Sequence, residues 1–320
     1  MTDHAAHADA AEMEARLEHI NRIHDDTPEP ALALLRRIPP ERLPPARRAL
    51  FAFLVNHVAG EKFGLWDEAL AAQQAIVEAC AGTMTALLWR QAAVAAHLAG
   101  DEALARDWTR ALAASADAPL DKARTLVAVG AAQFSVSRLS AEAAGRAALH
   151  ALRPVVELLD TPGTGLDAAF GAVVNNLASE LVERRLDDLA QPELRDALAL
   201  GADLARRLWE RAGSWVNRER AHYLCAMAAN ALGHGDDGVA QARAGLALLD
   251  EFDIDNGEPV DRAFLELELA AGLRLAGQPG RAEALARALA LAARFGEPWL
   301  DRWFSDRQTR NEALAVRYGV

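Results

Sequence analysis

The chain has 320 residues, more than one compact core usually serves, so it divides into about two domains or forms one elongated repeat array. Hydrophobic residues make up 52%, alanine is abundant and there are only two tyrosines, which suits close-packed helices and argues against sandwiches or barrels of β-branched and aromatic strands. With 34 basic and 46 acidic side chains the formal net charge is -12, so a sequence-independent grip on phosphate has little support and nucleic acid is not an expected ligand.

Taken from the start, "MTDHAAHADAAEMEARLEHI" has neither a basic leader nor an apolar core of signal-peptide length, and no uncharged apolar run of 18 residues follows anywhere. A cytoplasmic protein of bacterial type is expected, without a membrane segment. Residues 1–10 are expected as a disordered tail and 11–43 as an N-terminal helical cap, with helices over 8–24 and 28–37. Thr27-Pro28 supplies the N-cap and first-turn proline of the second. In "RRIPPERLPPARR", residues 36–48, no two of the prolines at 39, 40, 44 and 45 stand three apart. The spacing of a polyproline ligand is missing, and the stretch is expected as a connector with Pro44 and Pro45 opening a helix over 44–62. Further helices are expected over 66–81, 84–99, 101–115, 119–136 and 140–159, the last kinked or restarted at Pro154. Then come 166–187 with 192–212, 215–233 with 236–250, 259–276 with 279–295, and a last helix over 298–317. Pro192, Pro259 and Pro298 sit at openings. Cys80 and Cys225 lie far apart with no ligand cluster beside them, as buried reduced thiols would.

"GLWDEAL", residues 64–70, opens a pattern that recurs. Five residues after Gly64, Gly100, Gly235 and Gly277 stand Ala69, Ala105, Ala240 and Ala282, and twelve after stand Ile76, Leu112, Ala247 and Leu289. Seven before the last three glycines stand Ala93, Ala228 and Ala270; His57 breaks that column. Small residues let antiparallel helices approach, and a turn glycine ends a helix with positive φ at no Cβ penalty. "FGLWDEALAAQQAI" and "AVVNNLASEL", with Asn176, Leu177 and Ala178 as an asparagine-leucine-small triplet, resemble the tetratricopeptide repeat. The intervals between glycines depart from that family's period of about 34 residues. The resemblance implies an all-α, right-handed α-solenoid of about seven antiparallel helix hairpins. Its repeat array would occupy 44–296, and 297–320 would be a C-terminal capping helix.

"GTGLDA", residues 163–168, has the glycine spacing of a dinucleotide-binding turn but no preceding strand, so a loop between hairpins is expected and no cofactor. "DEFDIDNGE", residues 250–258, is acidic, but a calcium loop with Gly257 as its turn glycine would place Phe252 and Ile254 at ligand positions. A solvated linker is expected instead. The nine histidines form no sequence-local metal motif, and no nucleophile elbow, phosphate loop or kinase signature is present. Neither a metal site nor a catalytic residue is assigned.

In such a solenoid the first helix of each hairpin lines a concave groove, and residues three, six, ten and thirteen before the turn glycine share one face. Gly64 gives Glu61, Val58, Leu54 and Phe51; Gly100 gives His97, Val94, Arg90 and Leu87. Gly235 gives Leu232, Ala229, Cys225 and His222, and Gly277 gives Arg274, Ala271, Leu267 and Phe264. A unit ending at Ser137 adds Arg124. The expected groove set is Arg90, His97, Arg124, Asn175, His222 and Arg274, a cationic interior on an acidic molecule. The expected partner is another protein or peptide, with an acidic segment or C-terminus as the first candidate. A ligand-sensing module and an enzyme with a pocket inside the superhelix are the alternatives. Trp299 and Trp303, one turn apart, are expected on one face of the last helix.

Overall fold

The computed structural model describes residues 2–80, 82–255 and 257–320, with side chains from residue 12 onward. All regular structure among these residues is helical, and no helix is long and apolar enough to cross a membrane. The chain divides into two compact units, residues 1–138 with 164–169, and residues 139–163 with 170–320.

The first unit contains α1 (Thr2–Ile23), α2 (Pro28–Leu35), α3 (Arg48–Leu54), α4 (Trp66–Ala79), α5 (Ala86–Leu98), α6 (Glu102–Ser115) and α7 (Leu120–Ser135). Single 3-10 turns at Pro40–Arg42 and Pro45–Arg47 form the proline-rich connector, and α3 runs on into a π-helical stretch, Val55–Lys62. Its core gathers Leu17, Ile20, Leu43, Leu54, Val58 and Ile76, all nearly or fully buried. The capping residues are those a sequence reader would choose: Thr85 and Asp101 each accept a hydrogen bond from the third amide of the helix they open.

The second unit contains α8 (Ala141–Leu159), α9 (Asp167–Val182, its first residues belonging to the first unit), α10 (Pro192–Ala212) and α11 (Trp215–Leu232). It continues with α12 (Gly235–Phe252), α13 (Pro259–Leu275), α14 (Arg281–Ala292) and α15 (Pro298–Tyr318). From α10 to α14 each helix packs against the next in sequence, and α11 also meets α13. Helix α8 passes through Pro154 without a break, where a kink or restart was expected. Ser214 and Asn217 form a reciprocal capping box at the start of α11. Among the turn glycines, Gly64, Gly100 and Gly277 have positive φ as expected.

Gly235 does not play that part. The left-handed residue after α11 is Gly233, with φ of 82°, and Gly235 is the first residue of α12. It is glycine for a different reason: a Cβ there would stand 2.5 Å from the Ala276 amide nitrogen. The column five and twelve residues after Gly235 is accordingly displaced, with Ala240 and Ala247 exposed, and Ala282 and Leu289 are exposed too. Counted from Gly233, the same offsets give Gly238 and Gly245, both buried. The earlier column stands: Ala93, Ala228 and Ala270 are all buried.

Helix α15 does more than follow α14. Arg310 donates to the carbonyls of Val182 and Arg184, Arg317 to that of Leu186, and the Tyr318 hydroxyl to that of Ala231. The last helix therefore lies across α11 and α13 and the end of α9, on the face where the second unit's groove was expected.

Candidate functional site

Counting three, six, ten and thirteen residues back from Gly233 gives Asn230, Met227, Tyr223 and Arg220. The last three line a cavity of about 630 Å³ in the second unit. Asn175 and Ser179 of α9, with Glu183 just after it, form one wall, Val260, Asp261 and Phe264 of α13 another, and Trp299, Leu300 and Trp303 of α15 the third. Glu219 of α11 and Glu258, the residue before α13, complete the polar lining.

The walls are aromatic because α15 is held against α13. Trp303 lies 4.3 Å from Phe264 between ring centroids, Trp299 stacks on Trp303 at 6.3 Å, and Tyr223 meets Phe264 edge-on at 6.0 Å. Trp299 and Trp303 thus share one face, and both are substantially exposed, at 52% and 43%. Beneath them Arg307, one turn further along α15, is buried between the carboxylates of Glu268 at 2.7 Å and Glu183 at 3.2 Å. Glu268 is itself fully buried and accepts from Asn230 and Asn311. This buried polar layer orients the helix that carries the tryptophans.

The polar lining is rich in acceptors and short of donors. Four of its side chains are acidic and one, Arg220, is basic. Arg220 contacts Asp261 at 2.8 Å and Glu258 at 3.5 Å. Glu219 is wholly buried, and neither of its oxygens has a donor within reach. Burial, followed by the neighbouring Asp261 and Glu258 charges, pushes its carboxyl up to about 9, so at neutral pH it holds a proton that it shares with Asp261. The Asn175 side-chain oxygen and the Tyr223 hydroxyl are also buried without a partner. Burial raises the Tyr223 hydroxyl well above its usual range, so it stays protonated.

The proton on Glu219 has a measurable consequence. The native chain retains it between about pH 4.5 and 9 while the unfolded chain releases it, so stability falls as pH rises through that window. Glu258 and Asp261 from the start of α13 strengthen the effect and Arg220 from α11 opposes it. The melting temperature of the wild type should fall more between pH 6 and 9 than that of Glu219→Gln. Parallel curves would contradict a buried, protonated Glu219.

The six residues expected to line one groove are divided between the two units. Arg90, His97 and Arg124 belong to the first unit and Asn175, His222 and Arg274 to the second. Asn175 alone reaches the cavity. Arg90 is largely buried beside the Ala169 carbonyl at 3.5 Å, and burial lowers its guanidinium to about 10. His97 is exposed beside Glu102, and Arg124 is exposed on α7. Arg274 is paired with Glu312 and donates to the Val320 carbonyl. His222 bonds Gln241 of α12 at 2.8 Å, and Cys225 donates to the Ala202 carbonyl of α10. Both were counted from Gly235, and the two-residue shift to Gly233 rotates them off the cavity face. Tyr223, Met227 and Arg220 went unnamed for the same reason. Glu219 carried no sequence signal, because its place depends on α13 and α15.

No protein-family model matches the sequence, and no curated protein matches it either.

Proposed function

We propose that the chain is a tetratricopeptide-like, right-handed solenoid of about seven hairpins that binds a protein or peptide, and that its second unit takes a basic side chain of that partner. Two features support the repeat architecture. From α4 to α7 and from α10 to α14 successive helices pack in sequence order, and each unit carries one buried asparagine clamp. Asn56 donates to both the carbonyl and the side-chain oxygen of Gln91, 35 residues on, and Asn230 does the same to Glu268, 38 residues on. Repeating one fixing point at about the length of one helix hairpin is what a degenerate repeat retains.

The observation that carries the ligand chemistry is an acidic lining inside aromatic walls in which the acceptors of Glu219 and Asn175 are unmet. An ammonium or guanidinium group offers several donors and no acceptor, which complements Glu219, Asp261, Glu258, Asn175 and the face of Trp303. Entering the cavity, it replaces the proton on Glu219. An acidic segment would instead place a carboxylate against three others with only Arg220 to offset them. For the second unit, then, a basic residue is preferred to the acidic one expected from the arginine count.

Fluorescence anisotropy of labelled tripeptides tests this. A peptide with a central arginine or lysine should bind saturably and one with a central glutamate should not. Trp303→Ala should weaken binding by up to about thirtyfold, since a desolvated cation–π contact is worth up to about 2 kcal/mol and 1.4 kcal/mol is a factor of ten. Asp261→Asn should weaken it as well. Equal affinity for basic and acidic peptides, or indifference to both substitutions, would sink the proposal.

A further inference from the structure

In the first unit, three side chains from two separate segments converge. His24 and Asp25 form the turn after α1, and His57 lies in the π-helical stretch that follows α3. The potential ligand atoms of the three all lie within 4.8 Å of one another. The two carboxylate oxygens of Asp25 divide between the imidazoles: one stands 3.3 Å from Nε2 of His24 and the other 3.2 Å from Nε2 of His57. The rings meet edge-on with centroids 5.1 Å apart.

What distinguishes the cluster from a chance meeting of polar groups is the other nitrogen of each ring. Nδ1 of His24 donates to the Asn21 carbonyl at 2.7 Å, and Nδ1 of His57 donates to the carboxylate of Glu61 at 2.6 Å. Each bond fixes its ring with Nε2 toward Asp25. Metal-ligating histidines are held in this way, by a carbonyl or a carboxylate on the far nitrogen, which sets the tautomer and raises the basicity of the ligating atom. Phe53 stacks on His57 at 5.5 Å and limits its rotation. Glu61 in turn accepts from Ser137. His57 and Glu61 both lie in the π-helical stretch, and such stretches are frequent at functional sites.

We propose that His24, Asp25 and His57 bind a divalent transition metal of the zinc class through two Nε2 atoms and one carboxylate oxygen. Two imidazoles and a carboxylate suit zinc and its neighbours better than calcium or magnesium, which prefer all-oxygen sites. Ligands about 2.0 to 2.1 Å from a tetrahedral zinc stand about 3.4 Å apart, close to the contact that each Asp25 oxygen makes with one imidazole. Binding through one of those oxygens requires the three ligand atoms, now within 4.8 Å of one another, to draw together to about that spacing. Asp25 is 65% exposed, which leaves the fourth position to water or to a ligand from solution. One side chain opposes the metal. Lys62 contacts Asp25 at 3.0 Å and must swing outward when the ion enters.

The site is independent of the cavity in the second unit. Its test is zinc titration of the full chain against a chromophoric chelator, with the visible absorption of the cobalt-loaded protein reporting geometry. One equivalent should bind, with the spectrum of a tetrahedral or five-coordinate cobalt site carrying nitrogen ligands, and millimolar calcium should not displace it. Asp25→Asn and His24→Ala, on the turn after α1, should each weaken zinc at least tenfold while circular dichroism stays unchanged. Glu61→Gln should weaken it about ten- to a hundredfold, the range typical for a group supporting a ligating histidine. Lys62→Ala should tighten it, which a purely structural ion-pair cluster has no reason to do. His97→Ala should change nothing. Zinc that binds equally well to Asp25→Asn and His24→Ala, or that is lost only when His4 and His7 are replaced, would overturn the proposal.

Discussion

Replacing Arg307 with alanine should destabilise the chain by about 3 to 5 kcal/mol, the cost of leaving one partner of a buried ion pair without the other. Its side chain is 1% exposed and Glu268 opposite it 0%, so no water is at hand to take over. Asn230 and Asn311 still donate to Glu268, but two neutral amides do not balance a buried negative charge. The loss should appear as a drop of about 6 to 20 °C in the melting temperature, at roughly 2 to 4 °C per kcal/mol for a unit of this size. Substituting Glu268→Gln in the same chain with Arg307→Met should recover much of it, because charge and countercharge leave together. Calorimetry of Arg307→Met, Glu268→Gln and the double variant that combines them therefore gives a strongly non-additive cycle. Additive losses would mean that Arg307 and Glu268 do not depend on each other. The cycle bears on function, since Arg307 is one turn from Trp303 and holds the helix that forms the cavity's aromatic wall.

A second large effect should come from a single methyl group. Gly145 of α8 faces the start of α10 so closely that a Cβ would lie 2.4 Å from the Leu194 amide nitrogen and 2.5 Å from the Glu193 carbonyl carbon. Those are backbone atoms and cannot turn aside. Glycine to alanine within a helix ordinarily gains up to about 1 kcal/mol; here overpacking should reverse the sign and cost about 3 kcal/mol, the upper part of its usual range. Gly296→Ala is the control, with no atom near its added methyl group and no positive φ. Chemical denaturation should show Gly145→Ala clearly destabilised and Gly296→Ala unchanged. A stabilised Gly145→Ala would place the contact between α8 and α10 wrongly.

Much of the helical layout is legible in the sequence, because local chemistry sets it. Pro28, Pro192, Pro259 and Pro298 stand in first turns, and Thr85, Asp101, Ser140 and Ser214 accept cap hydrogen bonds. The cavity was within reach but misplaced. Two glycines stand within three residues at the end of α11, and choosing Gly235 over Gly233 turned the inward stripe away from Tyr223 and Met227 toward His222 and Cys225. Only the positive φ of Gly233 separates them. Other features depend on contacts between distant segments, for which no periodicity exists. The π-helical stretch at Val55–Lys62, the return of α15 across α11 and α13, and the meeting of His24 with His57 all belong here. Arg274 looked like a groove cation because its partner, Glu312, lies 38 residues further on.

The central claim is that the cavity between α9, α11, α13 and α15 accepts a cationic group in place of a proton. Isothermal titration calorimetry with butylguanidinium, in two buffers of different ionisation enthalpy at pH 7.5, tests it most directly. One saturable site should appear, with net proton release that disappears in Glu219→Gln and an affinity that rises from pH 6.5 to 8.5. No saturable heat at millimolar ligand, or binding without proton release that is unaltered in both Glu219→Gln and Trp303→Ala, would contradict it.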